Sequence, residues 1–395
     1  MARVLLVWEL GAGYGHLTQL RRIGAAVQAR GHEIAYAVRS LDEAADVLGV
    51  TAPMFQAPLV GPNFALAGAR LPLSSLPDIL YAAGFSHART LIPAVRAWEM
   101  LLGLVAPDVI VADYAPVATL AAWSFVPVLA VGSGFTLPPR HLAELPPLAP
   151  RSGSGIPARH ILEVAGQIQA ARRAPAPAAL GELLGGDRGF AFGLDLFDPY
   201  RDLRLEPLCA PLEPLPAPLP PPADPRSAFV YLGGDYAPTG PALMALAERA
   251  KEEGIRLGAY VRRGPLRLRD GLAALGVAIH DRPPPLAEVL AGHGAVVHHG
   301  GLGTATAALA AGRPQVLFTQ HLEHGLNGAV LARLGCGVAV EGRDGPALLA
   351  RAVTGVLDDP QAAERAAAAA ATRREQPDGL APLLDAVDTL GGRAR

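Results

Sequence analysis

Short apolar runs alternate with longer segments of helical periodicity along most of the chain. Arg3–Trp8 is the first apolar run, Gly11–Gly15 a glycine-rich turn, and Leu17–Arg30 a helix stopped by Gly31. Ile34–Val38, Val109–Ala112 and Val128–Val131 continue the strands, with a helix at Val117–Trp123. Such strands are apolar throughout rather than alternating, which predicts a parallel sheet covered by helices on both faces. The alternation resumes with strands at 228–232, 256–262, 295–298 and 315–318 and helices at 241–253, 286–291 and 304–311. Between the two halves, residues 207–226 are too rich in proline for helix or central strand and read as an extended, semi-rigid linker. An Ala-rich stretch at 362–372 carries little pattern, and a last helix is expected near 378–390.

The expected class is therefore α/β, with two Rossmann-like domains facing across a cleft. Residues 1–206 form the N-terminal domain, 207–226 the linker and 227–375 the C-terminal domain; 376–395 carry a terminal helix that packs back on the first domain. In open sheets of this kind, ligands bind outside the carboxyl ends of the strands.

Composition narrows the functions. Hydrophobic residues make up 51% of the 395 positions, enough for two filled cores. The net charge of −2 comes from 34 basic and 36 acidic side chains without a basic stripe, which argues against nucleic acid as a partner. The small cluster Arg262, Arg263, Arg267 and Arg269 reads as a solvated loop. Two cysteines, Cys209 and Cys336, cannot build a disulfide framework, so a cytoplasmic home is expected. The opening apolar run is too short for a signal peptide and ends in Glu9, and no apolar stretch is long enough to span a membrane.

The chemistry concentrates in 297–327. A strand ends at His298 and His299, and Gly300-Gly301-Leu302-Gly303 leads into a helix from Thr304. A glycine turn opening a helix aims backbone N–H groups and the positive helix end at one point, which suits a phosphate or diphosphate. Gly312-Arg313-Pro314, Glu323-His324 and Asn327 follow. This segment resembles the nucleotide-sugar motif of the family 1 glycosyltransferases, which include plant and bacterial natural-product enzymes and animal glucuronosyltransferases. Near the N-terminus, Gly13-Tyr14-Gly15-His16 and Arg30-Gly31-His32-Glu33 resemble that family's opening motifs.

The resemblance implies a GT-B fold and an inverting transfer of a sugar from a UDP- or dTDP-sugar to an acceptor hydroxyl. It implies His16 as general base and Asp113, at the end of a later strand, as its acidic partner. An imidazole near pKa 6.5 can take a hydroxyl proton as the bond forms, and a carboxylate on its other nitrogen fixes the tautomer. His32 is given only a local capping or packing role. Donor contacts fall on Gly15, Gly233, Gly234, His298, His299, Gly300, Gly301, Gly303, Thr304, Glu323, His324 and Asn327. No cofactor beyond the nucleotide sugar is expected. No D-x-D is present to hold a divalent ion, and histidines 298, 299, 321 and 324 lack the spacing of a zinc site. Apolar residues in 55–100 and 135–200, namely Phe55, Phe64, Leu66, Phe85, Trp98 and Phe135, lean toward a small lipophilic or aromatic acceptor, although apolar positions are more often simple core.

The pattern also departs from the family. Pro283 stands where plant and animal members stack a Trp on the base, His324 replaces the usual Gln, and Gly233-Gly234-Asp235 lacks the usual Ser or Thr. A catalytically silent nucleotide-sugar-binding protein, or an epimerase or hydrolase on the same fold, remains the alternative. The separation of His16 from Asp113 discriminates between them.

Overall fold

The computed structural model describes residues 1–60, 73–150, 155–372 and 375–392. Phe64 and Leu66 lie outside these residues. The chain forms two compact units: Met1–Glu213 together with Gln376–Arg395, and Pro214–Glu375.

The first unit is a parallel sheet of β1 (Arg3–Trp8), β2 (Glu33–Val38), β3 (Met54–Gln56), β4 (Val109–Asp113), β5 (Val128–Gly132) and β6 (Arg188–Ala191). The strand order is β3-β2-β1-β4-β5-β6. Every residue of β4 and β5 is buried, as the unbroken apolar runs require. Leu17, Leu20, Ile23 and Val27, at helical spacing on Tyr14–Ala29, share one core with Val4, Leu6 and Trp8 of β1. Leu383 and Val387 of the terminal helix Leu380–Gly391 enter that same core. His32 fastens this helix: its Nδ1 accepts the Ala2 N–H at 3.1 Å, and its Nε2 lies 2.7 Å from Asp388 Oδ1. Arg30 pairs with Asp385 and Asp388 alongside.

The second unit repeats the order. Its strands are β7 (Ser227–Gly233), β8 (Arg256–Arg262), β9 (Ala278–Ile279), β10 (Ala295–His298), β11 (Gln315–Thr319) and β12 (Gly337–Glu341), arranged β12-β11-β10-β7-β8-β9. Leu243 and Leu246 of the helix Thr239–Glu253 and Leu349 and Val353 of the helix Pro346–Asp358 fill one face.

Four strands escape the sequence pattern: β3, β6, β9 and β12. All four are sheet edges. An edge strand pairs on one side only and is short or partly exposed, so no continuous apolar run marks it. Several helices begin earlier than their periodicity suggests, and two of these bear on the site. The first starts at Tyr14, because Gly11 and Gly13 with φ of 85° and 89° complete the turn before it. The helix after β10 spans Leu302–Ala310. Gly15 and Gly303 are thus helical rather than turn residues.

The chain passes from one unit to the other between Glu213 and Pro214, inside the proline-rich segment, and neither half of that segment is loose. Cys209 bridges to Phe192 beside β6. Buried Arg313 donates to the carbonyls of Leu219 and Pro220, and also to that of Leu290. Phe85 and Trp98 are fully buried and Phe135 nearly so. These three are core residues, the commoner reading of such apolar positions; Phe55 is half-buried.

Leu383 has no exposed surface. Leu383→Ala is expected to cost the first unit about 2–5 kcal/mol. Trp8, Trp98 and Trp123 all lie in that unit, so urea denaturation followed by tryptophan fluorescence reads it alone. A change below about 0.5 kcal/mol, the scatter of neutral surface substitutions, would contradict the packing of the terminal helix.

Candidate active site

In both sheets the first and fourth strands are neighbours, β1 with β4 and β7 with β10. At that switch point the connections leave in opposite directions and open a crevice at the carboxyl ends. The chemically capable residues of each unit collect there.

In the first unit, Trp8 and Asp113 are register partners at the ends of β1 and β4. Three residues after Gly13, the helix Tyr14–Ala29 brings His16 over this edge, with Nδ1 3.0 Å from Asp113 Oδ2. Asp113 is 1% exposed; His16 is half-buried. Trp8 stacks on the imidazole with ring centroids 5.3 Å apart, and Tyr114 lies 6.5 Å away. A Cβ on Gly11 would collide with His16 Nε2, so only glycine leaves the ring this position. Tyr114 takes a left-handed φ of 45°, uncommon for a bulky residue, and its carbonyl accepts the Leu10 N–H at 3.0 Å.

Sequence reasoning missed Glu9. Its buried carboxyl accepts the N–H groups of Val117 and Ala118, each at 2.8 Å, and so ties the loop after β4 to the end of β1. Burial raises its pKa to about 8, against the pull of those two backbone bonds. Gln19 was missed as well: its Nε2 donates to Asp113 Oδ2 at 3.1 Å.

In the second unit the glycine turn after β10 is built from inside. Gly300 has a φ of 102°, and a Cβ there would press on the backbone and Cβ of His324. Its N–H donates to His298 Nδ1 at 3.1 Å, and its carbonyl accepts from Asn327 Nδ2 at 2.8 Å. His298 Nε2 lies 2.9 Å from Gln315 Oε1, while Gln315 Nε2 donates to the Ala305 carbonyl. Because Nδ1 accepts, the proton must sit on Nε2 and the ring is neutral. His298 and Asn327, assigned to the donor site from the sequence, are buried and bonded to the turn.

His299, Gly301, Gly303 and Thr304 are not fully buried at the head of the helix Leu302–Ala310, whose first N–H groups have no partner within the helix. Glu323 is half-buried in the first turn of the helix Leu322–Arg333. Buried His324 packs its ring 4.9 Å from His299 and 4.0 Å from His321. Gly233 ends β7, and a Cβ on Gly234 would meet the backbone of Gly264 after β8. Gly15 is exposed, on the first unit's helix. Arg262, expected to be solvated, is instead mostly buried beside Asp235, at 3.7 Å. Pro283 is exposed after β9.

Desolvation lowers the imidazole pKa values here. His298 falls to about 3 and His299 to about 4; His324 falls too, with neighbouring imidazoles adding to the effect. Among the described residues, no three His, Cys, Asp or Glu side chains form a group that could hold a metal ion, and no helix is long and apolar enough to cross a membrane.

Residues 267–383 match the protein-family model described as the C-terminal domain of erythromycin biosynthesis protein CIII-like proteins. A sequence comparison with curated proteins finds no match. Among solved structures, the chain is similar to the glycosyltransferase VinC in complex with dTDP, at 18% identity and a TM-score of 0.63, covering 99% of this chain and 100% of that one. It is similar to the glycosyltransferase SnogD from Streptomyces nogalater at 20% identity and 0.63, covering 98% and 99%. The spinosyn rhamnosyltransferase SpnG complexed with thymidine diphosphate gives 18% and 0.61, covering 99% and 100%. At these identities the likeness is one of fold, and that fold is GT-B.

A neutral, buried His298 has a consequence for stability. Its folded pKa lies below the unfolded value near 6.5, so the unfolded chain binds the proton first. Stability is full above pH 6.5 and drains as pH falls toward 3. By pH 5 the loss from His298 alone is about 2 kcal/mol. In His298→Gln the second unit should show a shallower decline between pH 6.5 and 5 in urea denaturation followed by circular dichroism. An unchanged slope would contradict the neutral, Nε2-protonated ring.

Proposed function

We propose that the chain is an inverting glycosyltransferase that moves a sugar from a nucleoside diphosphate sugar to an acceptor hydroxyl without a divalent metal. The observation that carries this reading is the 3.0 Å contact between His16 Nδ1 and Asp113 Oδ2 at the carboxyl edge of the first sheet. The GT-B fold and the family match over 267–383 give that contact its context.

Asp113 accepts the Nδ1 proton and leaves the lone pair of Nε2 to act as base. The acceptor oxygen attacks the anomeric carbon as its proton moves to Nε2. The bond from that carbon to the phosphate oxygen breaks, and the nucleoside diphosphate leaves with the electron pair. Negative charge then grows on the diphosphate. The N–H groups of Leu302, Gly303 and Thr304 and a neutral imidazole donor at His299 answer it as fixed dipoles. A ring pulled down to about 4 stays uncharged at neutral pH and still donates a hydrogen bond. Glu323 is assigned to the hydroxyls of the donor sugar. VinC and SpnG were each solved with a thymidine diphosphate, which supports a dTDP-sugar as donor. The acceptor is assigned to the class of small lipophilic hydroxyl compounds.

A silent nucleotide-sugar-binding protein would retain the glycine turn and Glu323. It would have no use for a buried carboxylate held on an imidazole at the other unit's switch point, and that contact favours the enzyme.

Two outcomes follow. In EDTA, dTDP at a hundredfold excess over its Kd should stabilise the chain by about 2.7 kcal/mol, seen as a rise in Tm; stabilisation that appears only with added Mg²⁺ or Mn²⁺ would refute the metal-free site. With dTDP-glucose and a panel of phenols and lipophilic alcohols, His16→Ala should lower turnover by about 10²–10⁴ while dTDP affinity is kept. Turnover near that of the unaltered chain would leave His16 without a role as base.

A further inference from the structure

We infer that Gln19 is a positioning residue that holds the Asp113 carboxylate in one orientation for His16. The inference rests on the assignment of His16 as base. His16 and Gln19 are three residues apart on the helix Tyr14–Ala29, so their side chains share one face above the end of β4. Gln19 Nε2 donates to Asp113 Oδ2 at 3.1 Å, and His16 Nδ1 reaches the same oxygen at 3.0 Å. The other oxygen, Oδ1, is buried and makes no hydrogen bond among the described residues. One oxygen therefore carries both contacts and the other none.

That asymmetry matters because the terminal torsion of an aspartate is broad and roughly two-fold. Among the described residues no hydrogen bond to Oδ1 fixes the carboxylate plane, so the Gln19 amide, together with the imidazole it must present to, selects it. The amide also takes part of the negative charge of Oδ2. Its removal leaves more of that charge facing the imidazole, which favours the protonated ring. Loss of Gln19 thus acts twice, by freeing the carboxylate to turn and by making His16 harder to deprotonate.

Tyr114, on the loop after β4, has its ring 6.5 Å from the imidazole, and Trp8 of β1 stacks on it. The Glu9 carboxyl is turned onto the Val117 and Ala118 N–H groups, and Arg39 donates to the Glu9 carbonyl. Further along the same helix, Arg22 pairs with Glu213. A change at Gln19 leaves each of these in place.

The test uses the whole chain with ring-¹⁵N-labelled histidine, the His16 signals being assigned by their loss in His16→Ala. Gln19→Leu should raise the His16 titration midpoint by about half a unit or more. Gln19→Glu, isosteric but unable to donate when ionised, should raise it further and guards against a folding defect in the leucine variant. With dTDP-glucose and the phenol panel, Gln19→Leu should lower kcat about five- to tenfold with the donor KM unchanged. A midpoint that stays put in both Gln19 variants, while His16→Ala is inactive, overturns the inference alone. Turnover like that of the unaltered chain in His16→Ala overturns the base assignment and the inference with it.

Discussion

Two parallel strands set side by side fix where the imidazole and the carboxylate meet. β1 and β4 pair so that Trp8 and Asp113 end the ladder opposite one another. His16 then needs only a tight turn and the first turn of a helix to arrive over Asp113, 3.0 Å away. The left-handed glycines Gly11 and Gly13 supply the turn, and Gly11 leaves room for Nε2. Glu9, bonded to the N–H groups of Val117 and Ala118, holds the loop after Asp113 to the strand before His16. A one-residue slip of β4 against β1 would turn Asp113 to the other face of the sheet and abolish the contact.

The second unit solves a related problem by burial. A glycine turn that presents N–H groups must not fold back to satisfy them itself. His298 accepts the one N–H that points inward, and Asn327 caps the one carbonyl that does. Leu302, Gly303 and Thr304 lie in the first turn of the helix Leu302–Ala310, whose leading N–H groups have no partner within the helix. The cost is a set of imidazoles that must stay neutral to fold, which makes this unit acid-sensitive through the residues that shape its binding turn.

Much of this was legible in the sequence because the central strands are buried on both faces and must be apolar throughout. The pairing of His16 with Asp113 could be read from motif position, since both follow strands of one sheet. The edge strands β3, β6, β9 and β12 could not, because half their pairing is missing and their side chains face water. Nor could the inward roles of His298 and Asn327 be read. Both stand in a motif that suggests ligand contact, and only the hydrogen-bond partners Gly300 and Gln315 show that they serve the backbone. Gln19 looks like any polar helix residue until its spacing from His16 is set against the position of Asp113. Phe85, Trp98 and Phe135 illustrate the converse, apolar residues in variable segments that simply fill the core.

A single displacement needs a base, not a nucleophile, at the carboxyl edge of the first sheet. The most direct measurement is the anomeric configuration, by NMR, of the glycoside formed from dTDP-α-D-glucose and any acceptor that turns over. Direct attack by an acceptor oxygen deprotonated at His16 predicts the β-glycoside alone. An α-glycoside, formed with retention, would rule out direct back-face attack and would contradict the assignment of His16 and Asp113 as base and support.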